Sequence, residues 1–291
     1  MELKYAVFLI NLQRDKSFMV NPCLLPTPAG LERYIHAVWM MRGPVSGTES
    51  LITMADGSPG LIFQHPSAGL MKVHDKPLAP LYIYGQASKS SRLTITGSLD
   101  AIGICFKPSA VPKIFGLRAD EITDSCIGIR ELKGSGNQEI EMKLIEASSM
   151  DERLLLITKY LQHTLCSRSY RADQTTDQAI NHIFKTSGNI SLHDLRRNLY
   201  VSERSLERKF REQVGISASL YARICRFQES MRQLKEEKFQ KLSDIAYLNG
   251  YADQSHFIRS FKSFAGCSPN QYKNRSVKLI DSFAFDPLKA E

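Results

Sequence analysis

Between residues 22 and 135 the apolar positions come in short runs separated by turn residues, whereas after Ser135 they recur at spacings of three and four. The first pattern belongs to strands and the second to amphipathic helices. Strands are expected at 37–41, 51–54, 61–64, 81–84, 92–96 and 101–106, with turns at Asp56-Gly57 and Gly97-Ser98. Strands at this spacing point to a small barrel or sandwich. Helical spacing starts in 138–147 with Ile140, Leu144 and Ile145, and resumes after Ser149, which with Glu152 has the form of a capping box. Leu154, Ile157, Leu161 and Leu165 make one apolar stripe, which packs either on the chain's own sheet or against a second subunit. The segment 167–176 is polar and short of apolar anchors, and reads as a linker.

The C-terminal third contains an internal repeat. Sliding 202–221 along the chain by 51 residues aligns Leu206 with Phe257, Arg208 with Arg259, Phe210 with Phe261, Gly215 with Gly266, Ser217 with Ser268 and Tyr221 with Tyr272. Six matches at constant spacing mark a duplicated unit. A short helix precedes each block. In the first copy it starts at Ser191 with Asp194 and carries Leu192, Leu195 and Leu199; in the second it carries Leu242, Ile245, Ala246 and Leu248 and stops at Asn249-Gly250. A second helix follows in each copy, buried through Leu206, Phe210 and Val214 or through Phe257, Phe261 and Phe264 and ended by Gly215 or Gly266. Ser268-Pro269 then caps another helix. Each copy therefore reads as a helix-turn-helix. Between them Leu220, Ile224, Phe227, Met231 and Leu234 form the stripe of one long helix, broken off at the charged run 235–238. Such a helix can hold the two units so that each reaches a successive major groove, about 34 Å apart.

The outward faces of the two second helices carry the candidate chemistry. Arg204, Glu207, Arg208 and Arg211 lie at i, i+3, i+4 and i+7, opposite Leu206 and Phe210, and the repeat offset selects Ser255, Ile258, Arg259 and Lys262, joined by Gln254 and His256 at the helix start. In a major groove Arg pairs with guanine, Gln or Ser meets base edges and an aliphatic group touches a thymine methyl, so Arg204, Glu207, Arg208, Gln254, Ser255, His256, Ile258 and Arg259 are the expected base readers. Arg211 and Lys262 are the expected phosphate contacts. A single basic helix face is more often just a solvated surface; two copies in a basic segment reverse the odds.

Charge supports this picture. The chain has 291 residues, 43% of them apolar, and a net charge of +8. From Asp177 to Arg275 there are 17 Lys and Arg against 10 Asp and Glu, so nearly all the excess lies in this third, as expected where a polyanion binds. The six cysteines are far apart and form no C-x-x-C pair, which reads as reduced thiols in a cytoplasmic protein; Cys23, Cys105 and Cys126 are read as buried apolar thiols. No stretch is long enough to span a bilayer and the start lacks a signal-peptide pattern. His36, His65 and His74 are isolated, with no H-x-H, so neither a metal nor any other cofactor is expected. No nucleophile triad or phosphate loop has sequence support, so no enzyme is expected. Trp39, with Met40 and Met41, is read as core in preference to a ligand wall.

The stretch from about Asp177 to Tyr272 resembles the DNA-binding domain of the AraC/XylS family of transcription regulators. The resemblance is carried by Ser243-Asp244-Ile245-Ala246, Gly250-Tyr251, Asp253-Gln254-Ser255-His256-Phe257, Arg259, Phe261-Lys262 and Gly266-x-Ser268-Pro269-x-x-Tyr272. It implies two helix-turn-helix subdomains on a linker helix, double-stranded DNA and RNA polymerase as partners, and activation as the usual output. Carried over by position, base reading falls on Arg204, Glu207 and Arg208 and on Gln254, Ser255, His256 and Arg259, while Arg226 matches the family's linker-helix arginine, read as structural. Arg196 departs from the family's usual Ala, which Ala246 keeps; its side chain must snorkel outward or tilt the helix. Pro22, Leu31-x-x-Tyr34-Ile35, Trp39, Asp56-Gly57 and Phe106-x-Pro108 are similar to the sensor regions of some such regulators.

The expected class is α+β: a cupin-like β-barrel or sandwich with following helices, then an all-α domain. The expected boundaries are 1–166 for sensing or dimerisation, β-rich to about 135 and helical over 138–166, then a linker at 167–176, a DNA-binding domain at 177–275 and a tail at 276–291. A small-molecule effector in the first domain and a homodimer through 138–166 complete the reading. Its rivals are a catalytic N-terminal barrel recruited to DNA and a ligand-independent protein that bends DNA.

Overall fold

A computed structural model describes residues 23–133, 136–167, 174–236 and 239–274, together with the backbone of 279–280. The class is α+β, with an antiparallel sheet first and helices after it. Two long strands, β2 (Ile35–Thr53) and β7 (Ser91–Phe106), pair along most of their length. One edge of β7 is shared: β3 (Gly60–Gln64) pairs with its second half and β4 (Gly69–Val73) with its first. The short strands β1 (Cys23–Leu25), β5 (Lys76–Pro77), β6 (Leu81–Tyr84) and β8 (Cys126–Gly128) extend the sheet, in the order β1-β2-β7-β3-β6-β8 with β5 on β4. Among the described residues the ladder does not close, so the barrel expected from strand spacing is an open sheet. Leu279–Ile280 form β9, paired in parallel with β2.

The expected turn at Gly97-Ser98 lies inside β7. Gly97 takes φ +85, pairs with Gly69 on one side and faces a register shift between Pro44 and Thr48 on the other. A glycine bend in a continuous strand leaves the same sequence mark as a turn between two strands, so two expected strands are one. On the other side of the sheet the expected runs 37–41 and 51–54 merge almost completely into β2 in the same way. Trp39 is core, 5% exposed, and lies over Gly103, its ladder partner, where a Cβ would come within 2.0 Å of the indole. Cys105 is buried, but Cys23 and Cys126 sit on edge strands and are exposed, contrary to the reading of all three as buried.

Helices then cover the sheet. After α1 (Ala110–Phe115) and a 3-10 turn at Ala119–Ile122 come α2 (Asn137–Glu146) and α3 (Met150–Cys166). Ser149 caps α3 by accepting the Glu152 N–H. Ile157 and Leu161 of its stripe are buried against Phe63, Ile102 and Leu144, with Leu154 and Leu165 packed on the same cluster, so the stripe is used inside the protomer. Arg153 is buried beside it, bonded to Asp100 at 2.9 Å and to the Leu144 and Ala147 carbonyls.

The C-terminal helices are α4 (Gln174–Lys185), α5 (Leu192–Asn198), α6 (Glu203–Val214), α7 (Ala218–Glu236), α8 (Leu242–Leu248), α9 (Gln254–Ala265) and α10 (Pro269–Lys273). α4 begins inside the segment expected as linker, with Thr176 fully buried. Residues 168–173 of that linker, the N-terminal 1–22 and most of the tail lie outside the described residues. One core runs through this part, centred on Phe210, Phe227, Phe257, Phe261 and Phe264. Met54 and Ala55, from the connection between β2 and β3, belong to the same core, so the sheet is docked into the helical domain rather than tethered to it.

Candidate nucleic-acid interface

The repeat folds as two helix-turn-helix units, α5–α6 and α8–α9, each packed on α7. Ser191 accepts the Asp194 N–H, Ser202 that of Ser205 and Asp253 that of His256, so side-chain oxygens start α5, α6 and α9. Gly215 and Gly266 end α6 and α9 in the left-handed conformation. The copies are not in constant register. Val201 N–H bonds to the Arg196 carbonyl as Tyr251 N–H does to that of Ala246, an offset of 50, whereas the caps Ser202 and Asp253 differ by 51. The second turn thus holds one extra residue. Tyr200, at φ +52 and 96% exposed, occupies the left-handed position that Gly250 fills in the second copy. An aromatic residue there carries backbone strain of about 1 kcal/mol.

Arg196 snorkels. Leu195 takes the buried position, as Ile245 does in the second copy, and the Arg196 guanidinium reaches out to pair with Glu203 at the start of α6. The helix packs without the Ala because its charge leaves the contact.

On α6, Arg204, Arg208 and Arg211 are exposed and Glu207 half-buried, opposite buried Leu206 and Phe210. Arg208 is bonded to Glu212 at 2.9 Å. On α9, Gln254, Ser255, Arg259 and Lys262 are exposed. The other two expected readers of this helix turn partly inward: the His256 ring stands edge-on to Tyr251 with centroids 5.5 Å apart, and Ile258 is half-buried against the core.

The sheet domain touches both units, and nothing in the sequence signalled it. Thr123 Oγ1 donates to the Gly215 carbonyl at the end of α6 (2.7 Å), and Arg118 reaches Glu212 at 3.6 Å while binding Asp120. The Arg118 hydrogen bond holds Asp120 below the usual carboxylate range. At the end of α9, the Ala55 and Ser90 N–H groups donate to the Phe264 and Ser263 carbonyls. Between these points Gln228 of α7 donates to the Ala55 carbonyl at 2.7 Å, and Lys113 with Ser109 of the sheet domain holds Asp177 of α4. Both second helices are therefore docked at their C-terminal ends and open at their N-terminal halves.

Comparison with known proteins fits this geometry. The family described as a helix-turn-helix domain matches residues 195–275, and a domain of unknown function (DUF6597) matches 24–128. The C-terminal part is thus a helix-turn-helix domain of the AraC type. The HTH-type transcriptional activator RhaR of Pectobacterium carotovorum is 37% identical over 80 residues, 28% of either chain. An uncharacterized HTH-type transcriptional regulator of Staphylococcus aureus strain MSSA476 is 27% identical over 146 residues, 47% of this chain and 19% of that one. The matched segment thus spans less than a third of these relatives' own length. Among solved structures, ToxT from Vibrio cholerae superposes over 81% of this chain and 98% of its own with a TM-score of 0.46 and 14% identity. Among the described residues no helix is long and apolar enough to cross a membrane.

Proposed function

We propose that the protein is a sequence-specific DNA-binding regulator of transcription that inserts α6 and α9 into successive major grooves. The observation that carries this is the duplication itself: two helix-turn-helix units on one rigid α7, each with a polar, largely cationic face open to solvent. Arg204, Glu207, Arg208, Gln254, Ser255 and Arg259 read base edges in this account, and Arg211 and Lys262 bind phosphate. His256 and Ile258 contribute only what their partly buried side chains leave open. Activation is the expected output, with RNA polymerase as partner, in keeping with the activator name of the RhaR relative. The sheet domain, bound to the ends of both second helices, is the place from which a small-molecule effector would act on DNA binding.

The test is binding of the full-length protein to its own upstream DNA against random duplex across a salt series. A salt-dependent affinity with a specificity ratio of about a thousandfold supports the reading. Salt-dependent but indiscriminate binding means either that an effector is required for specificity or that the architectural alternative holds. Within the specific complex, Arg259→Ala should cost about 1 to 3 kcal/mol and relax preference at one base pair. Equal losses on specific and random DNA would remove Arg259 from the readers.

A further inference from the structure

The connection leading into α5 and the α8–α9 turn meet in a seam over the middle of α7. The α4–α5 connection reaches it through Gly188-Asn189, and the α8–α9 turn through Gly250-Tyr251. The seam is tight: a Cβ on Gly188 would lie 1.9 Å from the Ala222 carbonyl oxygen of α7, and one on Gly250 would lie 2.7 Å from Asn189 Oδ1. Both glycines have positive φ, +73 and +66. Arg226 of α7 lies under this meeting point. Its Nη2 donates to the Gly188 carbonyl at 3.0 Å and its Nη1 to the Gly250 carbonyl at 3.4 Å, while the guanidinium lies 5.7 Å above the Tyr251 ring. One planar group thus holds a backbone carbonyl from the connection that leads into α5 and one from the α8–α9 turn. Asn249, next to the second of these, is anchored to α7 in turn, donating to Gln233 at 2.8 Å.

We propose that Arg226 is a positioning residue that fixes the angle between the two reading units, and with it the half-site spacing the protein accepts, by clasping the Gly188 and Gly250 carbonyls together. The geometry gives this leverage. A 12-residue helix such as α6 or α9 is about 18 Å long. With the C-terminal end docked on the sheet domain, a rotation of about 10° moves the N-terminal reading end, which in α9 adjoins the clasp, by about 3 Å, close to the 3.4 Å step between base pairs on a strand. Lysine keeps the charge but gathers its donors on one nitrogen, so it does not reproduce the planar fork that spans the two carbonyls. Arg226 is only half exposed, with its Nε buried, so it is set into the seam and not offered to DNA.

This rests on the reading that α6 and α9 both enter DNA, and the unaltered protein tests that separately. The footprint on the protein's own upstream DNA defines two half-sites; full-length protein is then titrated with duplexes carrying the native spacing, one base pair more, one fewer, or one half-site alone. The unaltered protein should lose tenfold or more at either changed spacing. Arg226→Lys should bind the native spacing about tenfold more weakly, lose less than threefold on changing it, and keep half-site affinities within twofold. A steep spacing preference kept by Arg226→Lys overturns the proposal. So does a uniform loss on all duplexes with a salt slope lowered by about one, the mark of a phosphate contact. Gly250→Ala presses on the seam from the other side and leaves the guanidinium in place; it should also shift or flatten the spacing preference, and if Arg226→Lys fails to fold, an unchanged preference in Gly250→Ala overturns the proposal. Failure of the unaltered protein to protect two half-sites would refute the underlying DNA-reading assignment.

Discussion

Phe261→Ala should unfold the second helix-turn-helix unit or bring it close to unfolding, at a cost of about 3 to 5 kcal/mol. Phe261 is fully buried, and its ring meets Phe227, Phe257 and Tyr272 edge-on at centroid distances of 5.1, 5.8 and 5.7 Å. Its removal leaves a cavity and breaks three aromatic pairs, each worth about 0.5 to 1.5 kcal/mol beyond area burial. Against a total stability of roughly 5 to 15 kcal/mol that is a large share. Because α9 carries the carbonyls that bind Ala55 and Ser90, the loss should also loosen the sheet domain from the helices. Urea unfolding should show a markedly lower midpoint, with DNA binding lost in step. The exposed neighbour Arg259→Ala should leave the midpoint unchanged, within about 0.5 kcal/mol. A Phe261→Ala protein of native stability but altered base preference would contradict its place in the core.

The contrast between these two residues on one helix shows what the sequence carries well. Period and repeat together separate Phe261 from Arg259, and Ser191, Gly215 and Gly266 mark helix ends, because caps and apolar stripes are local properties. Three things were not legible. The one-residue difference between the turns depends on whether Tyr200 or Gly250 takes a left-handed backbone, which spacing alone does not show. The inward turn of His256 depends on Tyr251, five residues earlier and across the turn. The docking of Ala55, Ser90, Thr123 and Gln228 joins chain segments up to 209 residues apart (Ala55 to Phe264) through backbone groups and small polar side chains, and such contacts leave no pattern in sequence. In the sheet, Gly97 and the irregular stretch from Pro44 to Thr48 looked like strand ends because a bend within a strand and a turn between strands favour the same residues.

Asp56 sits where that unforeseen docking occurs, and it should make the stability of the whole molecule depend on pH. It follows Met54 and Ala55, which enter the helical core, and its Oδ1 accepts the Ser58 N–H at 2.9 Å. Among the described residues, Tyr84 and Cys105 of the sheet and Tyr221 of α7 feel its charge, and none of these three is a cation. Burial pushes the Asp56 carboxyl up to about 7, the Ser58 N–H only partly offsetting it, while burial also pushes the Cys105 thiol up to about 12 and so keeps it neutral. With a folded pKa above the unfolded value near 3.8, the native state holds one more proton than the unfolded state between about pH 4 and 7. Stability must then fall as pH rises through that window and level off above it. At 1.36 kcal/mol per unit the full shift corresponds to about 4 kcal/mol, reduced to roughly 2 kcal/mol because part of Asp56 reaches solvent. Asp56→Asn keeps an oxygen for the Ser58 N–H and removes the charge. Thermal melts from pH 5 to 8 should show this parent contribution falling while the variant lacks it, leaving the variant the more stable at pH 8. Parallel melting curves across that range would show that Asp56 is charged and solvated in the folded protein, and that the junction between sheet and α7 tolerates its carboxylate.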